Sequence, residues 1–142
     1  MTTARSDRPI AGLLGMRVLL ISLGSDGDHV PYLGLGIALR SQGHQATLVA
    51  SAQYESLARA YGLDFAPLVS QAEHDQLLGN PDFWHPLRGM RVAARWGAPL
   101  IERQYLLLAD LSAAAGTVLV ANPGVYAAKL VHEKLGGPLV TL

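Results

Sequence analysis

Eight consecutive residues, Gly24-Ser25-Asp26-Gly27-Asp28-His29-Val30-Pro31, bring together two carboxyl groups, an imidazole and a hydroxyl. A carboxylate within about 3 Å of an alcohol can take its proton as the oxygen attacks an electrophile, and an imidazole can do the same or orient its neighbours. Asp28 is the candidate base, with His29 and Ser25 beside it as a helper or a substrate contact. A structural use competes for the same residue. A carboxylate just ahead of Pro31 would cap a helix, as a hydrogen-bond acceptor and as a negative charge at the positive end of the helix dipole. Spacing leaves base and cap both open.

Other chemistries fit less well. The stretch lacks the Lys-Ser/Thr pair of a Walker A loop, and Gly24 and Gly27 do not make the G-x-G-x-x-G dinucleotide fingerprint. A glycosidase needs two carboxylates about 5 to 9 Å apart across a bond, and nothing on one short turn makes Asp26 and Asp28 such a pair. A receiver-type phosphoacceptor site would need an acid ending the third strand and a lysine after a later one. Asp64 instead precedes its strand, and the sequence stops before such a lysine. The histidines at 29, 44, 74, 85 and 132 do not fall on one helical face, so no metal site and no bound cofactor are expected. His44 would complete a helix end, and His132 would face solvent or a neighbouring carbonyl.

The elements that must position these groups follow from periodicity. Arg17 to Leu23 (RVLLISL) is an unbroken apolar run, as in a strand buried on both faces of a parallel sheet. Gly24 and Gly27 would shape its tight exit, and Pro31 would lie in the first turn of a helix closed by Gly43. Ala46 to Ala50 predicts a second strand, Tyr54 to Tyr61 a helix ended by Gly62, and Phe65 to Val69 a third strand. Between Ser70 and Gly89 periodicity disappears, which predicts a long functional loop carrying Phe83 and Trp84. Helical spacing returns from Arg91 to Ala115 with a boundary at Pro99, and Trp96 joins the two other aromatics as a candidate binding wall. Thr117 to Ala121 is a buried-strand run. Asn122-Pro123 then reads as an N-cap with proline at the first helical position, and Pro138 to Leu142 begins a last strand. Alternating strands and helices predict a doubly wound, Rossmann-like parallel α/β sheet, with its ligand at the carboxyl ends of the strands.

Composition bounds the rest. The chain has 142 residues, half of them apolar, enough for one core without cysteine, of which there is none. Eleven basic residues balance eleven acidic ones with no basic-aromatic cluster, which argues against a nucleic-acid partner. The first fifteen residues lack the apolar core of a secretory signal and read as a flexible segment, leaving residues 16–142 as the domain. A cytoplasmic location is the default, with contact at the inner face of a membrane left open. The sequence stops inside an apolar strand, which predicts the front part of a longer polypeptide.

These residues resemble the N-terminal half of GT-B glycosyltransferases, in the family 28 N-terminal-domain-like branch of sterol glucosyltransferases, glycopeptide-antibiotic glycosyltransferases and rhamnolipid rhamnosyltransferase. Gly24 to Pro31 match G-S-x-G-D-x-x-P, followed by L-G-x-x-L at Leu35 to Leu39 and G-H at Gly43-His44. Asn80 to Gly89 (NPDFWHPLRG) resembles an N-P-x-x-W-x-P segment, and Val131 to Leu142 (VHEKLGGPLVTL) resembles an E-K-x-G-x-P segment. The resemblance spans nearly the whole chain from Met16.

What it implies is inverting, metal-independent transfer of a hexose from a UDP or dTDP sugar to a hydroxyl of a lipid-like or hydrophobic acceptor. The N-terminal domain would hold the acceptor and the base, and a C-terminal domain the nucleotide sugar, so these residues alone would be inactive. Asp28 falls where the antibiotic enzymes have their proposed base. Asn122 falls where plant enzymes keep an Asp that orients a catalytic His, which makes it a secondary catalytic or substrate-contact candidate beside its N-cap reading. Phe83, Trp84 and Trp96 become candidate acceptor-binding residues. Asp26 departs from the Arg that many relatives carry there. The alternative is a non-catalytic α/β binding module that kept the scaffold.

Overall fold

The computed structural model describes residues 15–142, so the segment expected to be flexible, residues 1–15, lies outside the described residues except for Gly15. Strands β1 (Arg17–Ile21), β2 (Gln45–Ser51), β3 (Asp64–Val69), β4 (Thr117–Ala121) and β5 (Leu139–Thr141) form one sheet. Every pairing is parallel and the order is β3-β2-β1-β4-β5. The chain winds outward from β1 through β2 and β3, then returns to build β4 and β5 on the other side. The order therefore reverses between β1 and β4, whose ends are in register at Ile21 and Ala121. The chain is the doubly wound α/β fold predicted from its apolar runs.

Successive strand residues face opposite sides, so the sheet has two cores. Val18 and Leu20 pack with Tyr32 and Leu33 of helix α1 (Asp26–Ser41) and with Ala58 of α2 (Glu55–Ala60). Leu19 and Ile21 pack with Leu108 of α5 (Ile101–Leu111) and with Ala127, Ala128 and Val131 of α6 (Tyr126–Leu135). Gly36 permits the close approach of α1, since a Cβ there would sit 2.8 Å from Leu20 Cδ1 and Leu63 Cδ1. Pro67 is accommodated because β3 is an edge strand, where a missing N–H breaks no ladder on the open side.

Three boundaries differ from the periodicity reading. Helix α1 begins at Asp26, with Ser25 as its N-cap, so Asp28 is not the cap and Pro31 stands inside the second turn. Turn-forming letters hid the start. The acids at 26 and 28 stabilise a first turn through the dipole, and Pro31 forgoes only its bond to the Gly27 carbonyl. Gly27 is likewise helical rather than part of the strand exit, and a Cβ there would meet only Ser25 Oγ at 3.7 Å.

The expected loop from Ser70 to Gly89 instead contains helix α3 (Gln71–Leu78) and a 3-10 turn at Pro81–Trp84. Only His74 and Leu77 of α3 are buried, too few for an apolar period, yet Ser70 and Glu73 form a capping box that the S-x-x-E spacing encodes. Helix α4 (Gly89–Gly97) and a 3-10 turn holding Pro99 follow, then α5. Asn122 is not an N-cap either. Its side-chain amide donates to the Leu23 carbonyl at 2.7 Å, and α6 begins only at Tyr126 after a turn, capped by Val125.

Candidate active site

The turn leaving β1 is built around the Asp28 carboxylate. Ser25 donates to Asp28 Oδ2 twice, from its backbone N–H at 2.7 Å and from its hydroxyl at 3.0 Å. The carboxylate is thus fixed through one oxygen, and Oδ1 is left to meet a ligand. Gly24 makes this possible. Its φ is +130°, and a Cβ there would overlap Asp28 Oδ2 and lie 2.8 Å from Asp28 Cγ. Asp28 therefore serves the helix terminus from the third helical position, through Oδ2, and also lines the cavity described below.

His29 points the other way. It is 1% exposed, and its ring bonds Ser22 Oγ at 2.7 Å and the Gly24 carbonyl at 3.1 Å. A carbonyl only accepts, so Nε2 carries the proton and Nδ1 accepts from the Ser22 hydroxyl. The ring lies 4.3 Å from the Tyr54 ring and 6.0 Å from that of His74. Tyr54 donates its hydroxyl to Asp26, and burial together with that bond pushes the phenol up to about 12. Asp26, which departs from the family pattern, therefore ties the start of α1 to the connection after β2. His29 and Asp26 form the underside of the turn, away from the cavity that Asp28 lines.

Burial also holds the His29 imidazole below its ordinary 6.5, against the raising effect of its bond to Gly24. The unfolded chain thus takes up this proton at a higher pH than the folded one. Stability from neutral His29 is complete above about pH 6.5 and is lost as pH falls through the folded value. We expect the urea midpoint to drop between about pH 7 and pH 5, and His29→Gln to flatten that slope. Glu73, held low chiefly by Arg103, stabilises the fold above its ordinary 4.5 and loses that contribution only as pH falls below it, outside this window. An equal slope in both proteins would assign the loss to another group.

A cavity of about 1040 Å³ opens beside Asp28, at the carboxyl ends of β1 and β4 where strand order reverses. Its walls are mainly apolar. Pro31, Tyr32 and Leu35 come from α1, Leu77 from α3, Met90 and Trp96 from α4, and Ile101 from α5. Asn122 also lines it, and with the amide committed to Leu23 the buried Oδ1 is left without a partner among the described residues. Of the three predicted aromatic walls, the structure brings Phe83 and Trp96 to the cavity and not Trp84. Trp84 is 61% exposed, stands edge-on to Phe83 at 5.0 Å and donates its indole N–H to the Leu78 carbonyl. Trp96 is held from behind, donating to the Glu73 carbonyl at 2.9 Å, while Glu73 also pairs with Arg103 of α5 at 2.7 Å.

Sequence reading missed Gln104 of α5, a buried lining residue. The signal was present: Ile101, Gln104 and Leu108 follow one helical stripe, and Gln104 is its polar interruption. Among the described residues no group of three or more His, Cys, Asp or Glu side chains is placed to hold a metal ion, and no helix is long and apolar enough to cross a membrane.

Comparison with known proteins bears on this arrangement. The sequence profile of the glycosyltransferase family 28 N-terminal domain matches residues 18–142. A UDP-sugar-dependent glycosyltransferase 52 of Dictyostelium discoideum is 33% identical over 135 residues, covering 92% of this chain and 8% of the relative. A sterol 3-beta-glucosyltransferase of Pichia angusta is 39% identical over 57 residues, covering 40% of this chain and 5% of the relative. Among solved structures, the Streptomyces sp. SF2575 glycosyltransferase SsfS6 is 28% identical with a TM-score of 0.63, covering 89% of this chain and 38% of its own. SsfS6 has also been solved in complex with thymidine diphosphate. The chain thus spans under a tenth of those curated relatives and about two fifths of SsfS6. With the profile running from within β1 to the end of the chain, the chain belongs to the glycosyltransferase family 28 N-terminal domain family.

Proposed function

We propose that this domain binds the acceptor and supplies the base in an inverting hexosyltransferase that draws its sugar from a UDP or dTDP nucleotide. The observation that carries the reading is the joining of the Asp28 carboxylate to a large apolar cavity at the switch point of the sheet. A lipid-like or otherwise hydrophobic alcohol fills such a space by burying its body, leaving its hydroxyl at the polar edge formed by Asp28 and Asn122. The sterol-glucosylating relative supports that acceptor class, and the thymidine diphosphate bound to SsfS6 supports a nucleotide donor.

Asp28 Oδ1 receives the hydroxyl proton while the acceptor oxygen bonds to the anomeric carbon. The bond from that carbon to the nucleotide diphosphate breaks, and the diphosphate leaves with the electron pair. Attack from the face opposite the leaving group inverts the anomeric centre. Ser25 holds the carboxylate through Oδ2 during the step, and the apolar walls exclude competing water. By the family resemblance, the sugar nucleotide is gripped in a second domain.

Acceptor binding can be tested on this chain by itself. A long-chain or polycyclic alcohol should bind it saturably, and Trp96→Ala should weaken binding roughly tenfold or more, since buried aromatic walls dominate such sites. Titration calorimetry measures both, with circular dichroism confirming that the variant is folded. Absence of saturable binding, or equal affinity in the variant, would overturn the acceptor-pocket reading.

A further inference from the structure

Gln104 has no role in the reaction as derived so far, and its surroundings do not explain it. The residue is 3% exposed, it lines the cavity, and Nε2 is buried without a hydrogen-bond partner among the described residues. Folded proteins keep few such groups, because an amide removed from water and left unpaired is costly. Leucine or methionine would fill the same position on the inward stripe of α5, between Ile101 and Leu108, without that cost. The polarity is thus matched to something outside the described protein atoms.

The position of Gln104 narrows what that is. Helix α5 packs on one face of the sheet and α1, which carries Asp28, packs on the other. The cavity runs over the carboxyl edge of the sheet between them. The rest of the lining is mainly apolar and includes Leu77, Trp96 and Ile101. An occupant with its reacting hydroxyl on Asp28 therefore meets Gln104 with a separate part of its body.

We propose that Gln104 is a specificity-determining residue that donates a hydrogen bond from Nε2 to a second oxygen of the acceptor. This rests on the acceptor-pocket reading and deepens it. The substrate class becomes an apolar alcohol bearing a hydroxyl, carbonyl or ether oxygen separated from the reacting hydroxyl by an apolar body. A site that presents a buried donor discriminates against analogues lacking the matching oxygen, because the donor then stays unpaired. Gln104 thereby fixes which way round a two-ended acceptor lies, and which hydroxyl reaches Asp28.

Paired probes of one skeleton test this. Binding of 1-alkanols and of the matching α,ω-alkanediols, with about eight to twelve carbons to suit the cavity, is measured on the wild-type chain, Gln104→Leu and Gln104→Met. The expected result is a shift of at least about tenfold in the diol-to-alkanol affinity ratio, toward the alkanol, in both variants. Alkanol affinity should stay equal or tighten. In the wild type, the Gln104 side-chain amide resonances should move with the diols and stay in place with the alkanols. An unchanged ratio in the variants, or amide resonances indifferent to the second hydroxyl, overturns the role of Gln104 while leaving the pocket standing. Failure of both series to bind the wild type overturns the acceptor-pocket reading and this assignment with it.

Discussion

Asp28→Asn is expected to lower turnover of the complete polypeptide carrying this domain by about two to four orders of magnitude, the range associated with removing a general base. The variant should fold. The Asn carbonyl oxygen can replace Oδ2 as acceptor for the Ser25 N–H and hydroxyl, which the present geometry holds at 2.7 and 3.0 Å. What is lost is one negative charge in the first turn of α1, worth about 0.3 to 1 kcal/mol at an exposed terminus. The thermal midpoint should therefore move by a few degrees at most, and acceptor KM should change little beside kcat, because the body of the acceptor rests on the apolar walls. Steady-state rates at saturating acceptor, with melting curves on both proteins, separate the two effects. Unchanged turnover would remove Asp28 from the mechanism and favour the non-catalytic reading of the domain.

The layers of this fold were legible because burial on both faces leaves a plain mark. Arg17 to Ile21 and Thr117 to Ala121 are nearly free of polar residues, and each forms a strand within the run that predicted it. Gly136, left-handed at φ +78°, ends α6. Periodicity failed where a helix buries little or starts among turn-forming residues, as at α3 and at Asp26.

The site was legible in part for the same physical reasons. Residue type nominated Asp28, Phe83 and Trp96, and each lines the cavity. Type could not reveal that the Trp84 indole turns back to the Leu78 carbonyl, because within a 3-10 turn neighbouring side chains diverge by angles that spacing does not report. His29 lies one residue from Asp28 in sequence, but on a helix that step rotates the side chain by about 100°, into the packing with Tyr54 instead of the cavity. Adjacency in a motif therefore favoured a helper role that helix geometry directs elsewhere. Gln104 lay at the opposite extreme. It belongs to no motif, and only its violation of an apolar stripe marks it.

Gly24→Ala is the second large effect, and it shows what the first glycine of the motif is for. At φ +130° an L-residue is strained, at a cost of about 1 to 3 kcal/mol, so the variant should lose stability regardless of the neighbours. The added Cβ would also overlap Asp28 Oδ2, forcing the carboxylate off Ser25 and out of its present pose beside the cavity. Turnover should accordingly fall toward the level of Asp28→Asn, even below the melting transition of the variant. These two consequences separate in a double-mutant cycle. Backbone strain acts independently of the side chain at 28, so much of the loss of stability should persist when Gly24→Ala is placed in the Asp28→Asn background. The loss of turnover should not, because a base already removed cannot be misplaced. Multiplicative losses of turnover in the double variant would instead show that Gly24 serves catalysis by a route other than the carboxylate, such as through its own carbonyl, which now accepts from His29 at 3.1 Å.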